Sequence, residues 1–360
     1  MNHLEALAIP ALTSFFGVVF AIKWLHPLTL KVGLVDTPAD RKEHSGIIPL
    51  IGGIGMYIAI TLAALLFLPI NQELGYILIA GGLLTITGAV DDKIDISFKI
   101  RLVIQALSGL LLYYGANIKL LSLGSYPFIG EIALGLTSPL FTVLAVMVAI
   151  NAYNMIDGLD GLAGSLALVT FISIALLIWP DVSQDTRITL VLFISALLAY
   201  LLFNLNIFPG RLPKVFMGDA GSMFIGFCVA AYLIRYSQES RSLIEPHIVL
   251  WLITIPVFDM FATFIRRIKN KKSPFFPDRT HIHHIFQRAG LGNKQTLLII
   301  LIISTGLALF GIISQLYNIN PLISILLLAT YFATHFYLIK HSWKLSKLLK
   351  KRKNIQPLLQ

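Results

Sequence analysis

Three neighbouring carboxylates stand where an apolar stretch ends, in the segment VDDKID. They are Asp91, Asp92 and Asp95. Side chains one, three and four positions apart at a helix end share one local patch. Carboxylates this close repel one another unless a cation neutralises them, and Mg²⁺ prefers such hard oxygen ligands together with water or phosphate oxygens. The segment predicts a magnesium site for a diphosphate; the alternative is a polar loop in which Asp95 caps a helix.

A second polar group lies between two apolar runs, in NAYNMIDGLDG. Asn151, Asn154 and Asp157 recur every third residue, and Asp160 follows three positions later. This spacing places the first three on one stripe of a helix end. In the alternative reading the acids are turn and capping residues and the asparagines pack between helices. Capping explains one acid, but four polar side chains in phase at membrane depth are costly unless they form a site.

A third acid, Asp219, stands in MGDAGS directly before another apolar run. A glycine-flanked aspartate at a helix start is typical of an N-cap. The free amides of a helix start also attract phosphate, and an aspartate beside them could hold a metal ion. Both interpretations of Asp219 remain open from the sequence.

Histidines are concentrated in the long loop RRIKNKKSPFFPDRTHIHHIF. On a helix, His281 and His284 would share a face and His283 would point elsewhere. This arrangement favours hydrogen bonding and charge over a metal cage, and no cysteine accompanies it as in common zinc sites. The basic residues of the loop are also typical of an ordinary stop-transfer cluster.

A fourth candidate is the first polar loop, KVGLVDTPADRKEHSG. It brings Asp36, Arg41, Lys42 and His44 close to an apolar run, at the depth where a lipid phosphate would lie. The alternative is a solvated loop shaped by proline turns.

The elements that must position these residues are membrane helices. The chain has 360 residues, of which 56% are apolar and 13% charged, and its mean hydropathy is +0.80. Such a composition indicates an integral membrane protein, and continuous apolar runs predict helices rather than strands. We predict an all-α polytopic fold, with one transmembrane domain over residues 1–345 and a basic cytoplasmic tail over 346–360. The eleven predicted spans lie near residues 5–25, 48–68, 74–90, 100–116, 136–153, 161–179, 188–208, 221–236, 247–265, 297–316 and 320–339.

The basic residues predict the orientation of these spans. With the N-terminus placed outside, 24 of the 28 lysines and arginines fall on the inside. The positive-inside rule therefore predicts a periplasmic N-terminus and a cytoplasmic C-terminus. On the same labelling ten of the twelve aspartates lie at the inner face, whereas five of the six glutamates lie outside. Short carboxylates gathered on one face favour a cation site.

Taken in order, VDDKID, NAYNMIDGLDG, VFMGDAGS and DRTHIHH resemble the motifs of the polyprenyl-phosphate N-acetylhexosamine-1-phosphate transferases. The resemblance extends over nearly the whole chain. Within the family, HIHH stands where the muramyl-pentapeptide branch carries three consecutive histidines, and Asp95 replaces the lysine usual in that branch. The chain is thus most similar to the branch that uses UDP-N-acetylglucosamine.

The resemblance implies a reaction and a set of roles. Undecaprenyl phosphate would attack UDP-N-acetylglucosamine at the cytoplasmic face of the bacterial inner membrane and release UMP, with Mg²⁺, or Mn²⁺ in its place. The product would begin a cell-surface polysaccharide. The implied catalytic acids are Asp91, Asp92, Asp157 and Asp160, and the implied metal ligands are Asp91, Asp92 and Asp219. The implied substrate-binding residues are Asn154, Asp95, Arg267, Arg279, His281, His283, His284, Asp36, Arg41, Lys42 and His44.

Two other function classes remain open from the sequence. An intramembrane prenyltransferase also binds prenyl diphosphates through a DDxxD motif and magnesium. A transporter of a phosphorylated solute would place ionisable groups near the bilayer centre, whereas these acids lie at span ends. Membrane lipids are the expected surroundings, no nucleic-acid partner is predicted, and a homodimer is left open.

Overall fold

The computed structural model describes residues 5–37, 46–238, 243–273 and 281–341. Over these ranges the chain is mostly helical, with thirteen α-helices and four short strands. The helices are α1 Glu5–Val32, α2 Gly52–Phe67, α3 Gln72–Ile94, α4 Phe98–Leu110, α5 Ser138–Ile156, α6 Leu162–Ile178, α7 Gln184–Asn204, α8 Gly218–Gln238, α9 Pro246–Leu252, α10 Thr254–Lys269, α11 Ile282–Arg288, α12 Asn293–Leu316 and α13 Pro321–Lys340. The strands are β1 Val35–Asp36, β2 Ile48–Pro49, β3 Ser122–Tyr126 and β4 Gly130–Ala133. The predicted tail over 346–360 lies outside the described residues.

The length and composition of the helices confirm a multi-pass membrane protein. Among the described residues, eight helices are long and apolar enough to cross a bilayer, and α9 with α10 makes a ninth if this pair, bent by 82°, is one span. The helix α2 has 16 residues and is about 24 Å long, which is less than the roughly 30 Å hydrocarbon core. Each of the eleven predicted segments contains helix, and the count of eleven spans stays a prediction.

Two small antiparallel ribbons add strand structure to a fold that the hydropathy pattern predicts as all-α. In one, β1 pairs antiparallel with β2, and the N–H of Phe216 extends the ribbon by donating to the carbonyl of Pro49. In the other, β3 pairs with β4 between α4 and α5. Strands of two to five residues are too short for an alternating pattern to stand out from long apolar runs.

Helix α8 lies at the centre of the bundle and carries Asp219 in its first turn. Of its most apolar stretch, 94% is buried, and it packs against α2, α3 and α5. The close approach of α3 requires Gly88, because a methyl group there would collide with the backbone of Ala220. The last turn of α3, which holds Asp91 and Asp92, is thereby placed against the first turn of α8.

Candidate active site

A cavity of about 1210 Å³ opens where the ends of several helices meet. Its walls come from the ends of α1, α3, α5 and α7, the start of α8, the β1–β2 ribbon, and the segment of α11 and α12. Its polar lining residues are His26, Asp36, Thr37, Asp92, Asn154, Asp157, Asp160, Asn204, Asn206, Lys214, Asp219, His284, Gln287 and Asn293. The cavity is larger than the roughly 300–1,000 Å³ of typical small-molecule sites.

Arg101 joins two of the acidic motifs behind this cavity. Its Nη1 atom donates to Asp91 Oδ2 at 2.6 Å and to Asp219 Oδ2 at 3.1 Å. The side chain of Asp91 is only 3% exposed, so its charge needs this partner. The other oxygen of Asp91 accepts the backbone N–H of Ile96 at 2.9 Å, which closes the end of α3. The first and third motifs are therefore linked by one guanidinium.

Asp92 caps α8 from a different helix. Its Oδ1 accepts the backbone N–H of Asp219 at 2.9 Å, and its Oδ2 accepts that of Ala220 at 3.3 Å. The preceding residue, Gly218, has φ +69° and faces the Asp92 carboxylate, where a Cβ would collide. The N-cap interpretation of Asp219 is therefore wrong, because Asp92 supplies the cap and the Asp219 side chain is left for other partners.

Asn154, in the last turn of α5, holds the Asp219 side chain from the other side. Its Nδ2 donates to Asp219 Oδ1 at 2.8 Å and to Ser222 Oγ at 3.0 Å. The carboxylate of Asp219 thus accepts hydrogen bonds from both Asn154 and Arg101. Asn151, one turn earlier, instead donates to Gln105 Oε1 at 2.6 Å and is absent from the cavity wall.

Asp157 and Asp160 lie on the turn between α5 and α6. Asp157 ends α5 at the cavity wall, where burial and the nearby charges of Asp92 and Asp160 raise its pKa to about 7. Among the described residues no donor is bonded to the Asp157 carboxylate. Asp160 pairs with Lys214 Nζ at 2.6 Å. Asn204 fixes the turn, since its side chain accepts the Gly161 N–H and donates to the Val215 carbonyl.

The three histidines of HIHH have different environments. His281 precedes α11 and is buried, with its Nδ1 2.7 Å from Asp259 Oδ2. His283 is buried against Gly158, and burial and the neighbouring His284 lower its pKa to about 3, so it is neutral. His284 lines the cavity, one helical turn before Gln287 and 3.2 Å from that amide.

Comparison with known proteins identifies the family. A family model described as glycosyl transferase family 4 matches residues 74–237. The undecaprenyl-phosphate alpha-N-acetylglucosaminyl 1-phosphate transferase of Escherichia coli O157:H7 is 40% identical to the chain over 352 residues, which cover 98% of this chain and 96% of the relative. The chain belongs to glycosyl transferase family 4.

Two further relatives support the same assignment. The transferase of the same name from Yersinia pestis is 39% identical over 91% of this chain and 89% of its own length. That of Haemophilus influenzae is 37% identical over 94% of this chain and 96% of its own length. These relatives confirm the predicted family and the prediction that the chain is a transferase enzyme.

In this family 4 transferase the cavity brings together most of the predicted site residues that the structure describes. Asp91 stands directly behind the wall, bonded to Arg101. The predicted residues that line the cavity are Asp36, Asp92, Asn154, Asp157, Asp160, Asp219 and His284. Those that do not line it are Asp91, Asp95, Arg267, His281 and His283. The predictions for Arg41, Lys42, His44 and Arg279 fall outside the described residues.

Two local expectations for this family 4 chain are corrected by the geometry. The predicted patch of three carboxylates at the end of α3 contains only Asp91 and Asp92. Asp95 ends the helix in a left-handed backbone conformation, with φ 51°, and its side chain is exposed. The shared helical face of His281 and His284 is also wrong, because α11 begins at Ile282 and His281 has extended backbone. His281 and His283 instead stack, with their rings 5.9 Å apart and 7° from parallel.

Arg101, Lys214 and Asn204 belong to the site although the sequence motifs do not identify them. In the sequence the two basic side chains indicate only the inner face. Arg101 follows Asp91 by ten residues, and a cation so close to an acidic motif is a usable signal for an ion pair. Asn204 ends an apolar run, where only tertiary structure shows that its amide joins two segments.

This family 4 site offers carboxylate oxygens to a divalent cation but, in the part of the chain that the structure describes, no complete set of protein ligands. Among the described residues, no three acidic, histidine or cysteine side chains form a ready-made metal site. Mg²⁺ needs only one or two carboxylates when substrate phosphates complete its shell. Asp157 fits, because its carboxylate faces the cavity without a donor and has a raised pKa that a cation would lower. The predicted ligands Asp91 and Asp219 instead share Arg101.

Proposed function

We propose that this chain transfers N-acetylglucosamine 1-phosphate from UDP-N-acetylglucosamine to undecaprenyl phosphate. The products are undecaprenyl-diphosphate-N-acetylglucosamine and UMP. The observation that carries the proposal is the convergence of three acidic helix ends and the His284 segment on one large cavity, in a chain whose relatives bear this activity in their names. Membership of a glycosyl transferase family favours sugar-phosphate transfer over prenyl transfer and over transport.

The reaction joins two negatively charged groups, so the site must supply alignment and compensating charge. An oxygen of the lipid phosphate attacks the sugar-bearing phosphorus, and the bond from that phosphorus to the UMP oxygen breaks. Mg²⁺, or Mn²⁺, when bound, would neutralise charge on the diphosphate, held by Asp157 with Asp92. Asn154 and Arg101 fix the orientation of Asp219 at the cavity wall. His284 and Gln287 offer hydrogen bonds to the sugar-nucleotide.

The proposed location is the bacterial inner membrane, with the site at the cytoplasmic face, the N-terminus in the periplasm and the C-terminus in the cytoplasm. The lining residues support this, because they belong to segment ends that the lysine and arginine distribution assigns to the inside. A membrane acceptor and a water-soluble donor can meet there. The product would be the first lipid-linked intermediate of O-antigen, enterobacterial common antigen or teichoic acid synthesis.

The direct test is UMP release by the purified chain in lipid nanodiscs. UMP should form only when UDP-N-acetylglucosamine, undecaprenyl phosphate and Mg²⁺ or Mn²⁺ are all present, and a chelator should stop it. Asp157→Asn should abolish release, whereas Asp181→Asn, an exposed acid on the opposite side, should leave it unchanged. Release without the lipid, or equal release with a chelator, would contradict the proposal.

A further inference from the structure

A buried polar contact outside the cavity joins α10, α11 and α13. Its centre is Asp259 of α10, which is 1% exposed. Asp259 Oδ2 lies 2.7 Å from His281 Nδ1, and Asp259 Oδ1 accepts the backbone N–H of Ile282 at 2.8 Å. His335 of α13 also lies next to this carboxylate, with its Nε2 3.7 Å from Asp259 Oδ1. Burying a carboxylate carries a desolvation penalty, which these partners must offset. The position of Asp259 therefore indicates a structural or functional role.

The contact supplies what α11 lacks locally. This helix has seven residues, too few to be stable alone, and no side chain of its own caps its start. Ile282 is its first residue, and the free N–H there is one of the unpaired donors of a helix start. The Asp259 carboxylate satisfies that donor and binds the imidazole immediately before it. The cap of α11 is therefore provided by a different helix.

The orientation of α11 determines which of its side chains reach the cavity. With Asp259 bound at its start, His284 and Gln287 line the cavity and His283 packs against Gly158 of the Asp157–Asp160 turn. A rotation or shift of α11 would move both cavity residues together and would loosen the wall behind Asp157.

We propose that Asp259 is a positioning residue for the sugar-nucleotide half of the site. This rests on the proposed function, in which His284 and Gln287 contact UDP-N-acetylglucosamine. Asp259 does not touch the cavity and acts through His281 and α11. Its loss therefore weakens the interaction with the donor, which His284 and Gln287 contact, more than that with the lipid acceptor.

The test compares steady-state kinetics of Asp259→Asn with those of the unmodified full-length chain in nanodiscs. Asparagine keeps the shape and one acceptor oxygen but either replaces the Oδ2 atom that contacts His281 with an amide or removes the carboxylate charge from that contact. The KM for UDP-N-acetylglucosamine should rise at least tenfold, and the KM for undecaprenyl phosphate should stay within twofold. The matched control is Thr263→Val, one helical turn away on α10, fully buried and outside the contact, which should leave both constants unchanged.

A second variant approaches the contact from the loop side and covers a failure of Asp259→Asn to fold. In His281→Asn the new side chain can cap α11 locally, yet it is too short to reproduce the buried contact of the imidazole with Asp259. The donor KM should rise as in Asp259→Asn, and the double variant should be no worse than either single one, because the two residues act as a unit.

Each outcome separates the two proposals. An unmodified chain that releases no UMP refutes the proposed function. An active chain whose Asp259→Asn and His281→Asn variants keep the donor KM within twofold refutes only the positioning role. Equal rises in the donor and lipid KM, accompanied by a lower Tm, would show a general structural role and would also refute it.

Discussion

Replacing Arg101 tests how far the site depends on a protein cation. Arg101→Ala removes the guanidinium that binds both Asp91 and Asp219. Breaking a buried ion pair by removing one partner costs about 3–5 kcal/mol. Here the Arg101 and Asp219 side chains are 30% and 31% exposed, so solvent screens part of the loss, whereas Asp91 at 3% is shielded. Because of this screening we expect a loss just below that range, about 2.7 kcal/mol.

If that energy is lost from transition-state stabilisation, kcat/KM for UMP release falls about 100-fold, since 1.36 kcal/mol corresponds to a factor of ten. Arg101→Lys keeps the charge, but its Nζ falls one bond short of the Nη1 atom that binds both carboxylates, and we expect about a tenfold loss. Lys99→Ala, an exposed neighbour on α4, is the matched control and should stay within twofold. The variants are assayed in nanodiscs at saturating Mg²⁺, with Tm measured in parallel.

A kcat/KM for Arg101→Ala within threefold of the unmodified chain would refute this reasoning. It would mean that Asp91 and Asp219 do not need a protein cation during turnover. A large loss accompanied by an equal loss in Lys99→Ala would refute it as well, because the effect would then follow from net charge near α4 rather than from the paired contact.

Three further predictions follow from the cavity wall. Asp157 must be ionised to bind a cation, and its pKa is raised to about 7, so log kcat/KM should fall by about one per pH unit below that value. Added Mg²⁺ should move the apparent pKa downward, and a profile independent of Mg²⁺ would exclude Asp157 as a ligand. Gly218→Ala should lower kcat/KM more than tenfold, because φ is +69° and a Cβ would strike the Asp92 carboxylate; normal activity would contradict that packing. Lys214→Met should change kcat/KM less than fivefold, because its pair with Asp160 is about one-third exposed and such pairs contribute about 0.2–1 kcal/mol; a loss above fiftyfold would assign Lys214 a direct role.

Much of the bundle could be predicted from hydropathy, because lipid-facing helices need long apolar runs. Each predicted segment contains helix, and the ends of α3 and α5 lie close to the predicted boundaries. The bend between α9 and α10 and the two ribbons could not be predicted, since a break inside an apolar run leaves the hydropathy unchanged. The short length of α2 could not be predicted from hydropathy either, because the apolar run extends beyond both ends of the helix.

The cavity was predicted well at its acidic motifs and poorly at their partners. Asp92, Asn154, Asp157, Asp160 and Asp219 meet because each stands at a helix end, and helix ends on one side of a bundle share a surface. The pairing within that surface depends on tertiary contacts. Nothing in VDDKID shows that one aspartate caps α8 while its neighbour binds a guanidinium ten residues later.

The central position of α8 has a consequence for biogenesis. This helix combines the lowest hydropathy of the eight candidate spans, 1.3, with almost complete enclosure by protein. It carries Asp219 near one end and Arg235 near the other, the latter paired with Glu73 of α3. A segment with so little affinity for hydrocarbon gains most of its stability from neighbouring helices, so we expect that it settles in the bilayer only alongside α3. In truncated chains that end before α8, the surfaces of α2, α3 and α5 that pack against it would be uncovered. We expect such chains to be degraded by quality-control proteases.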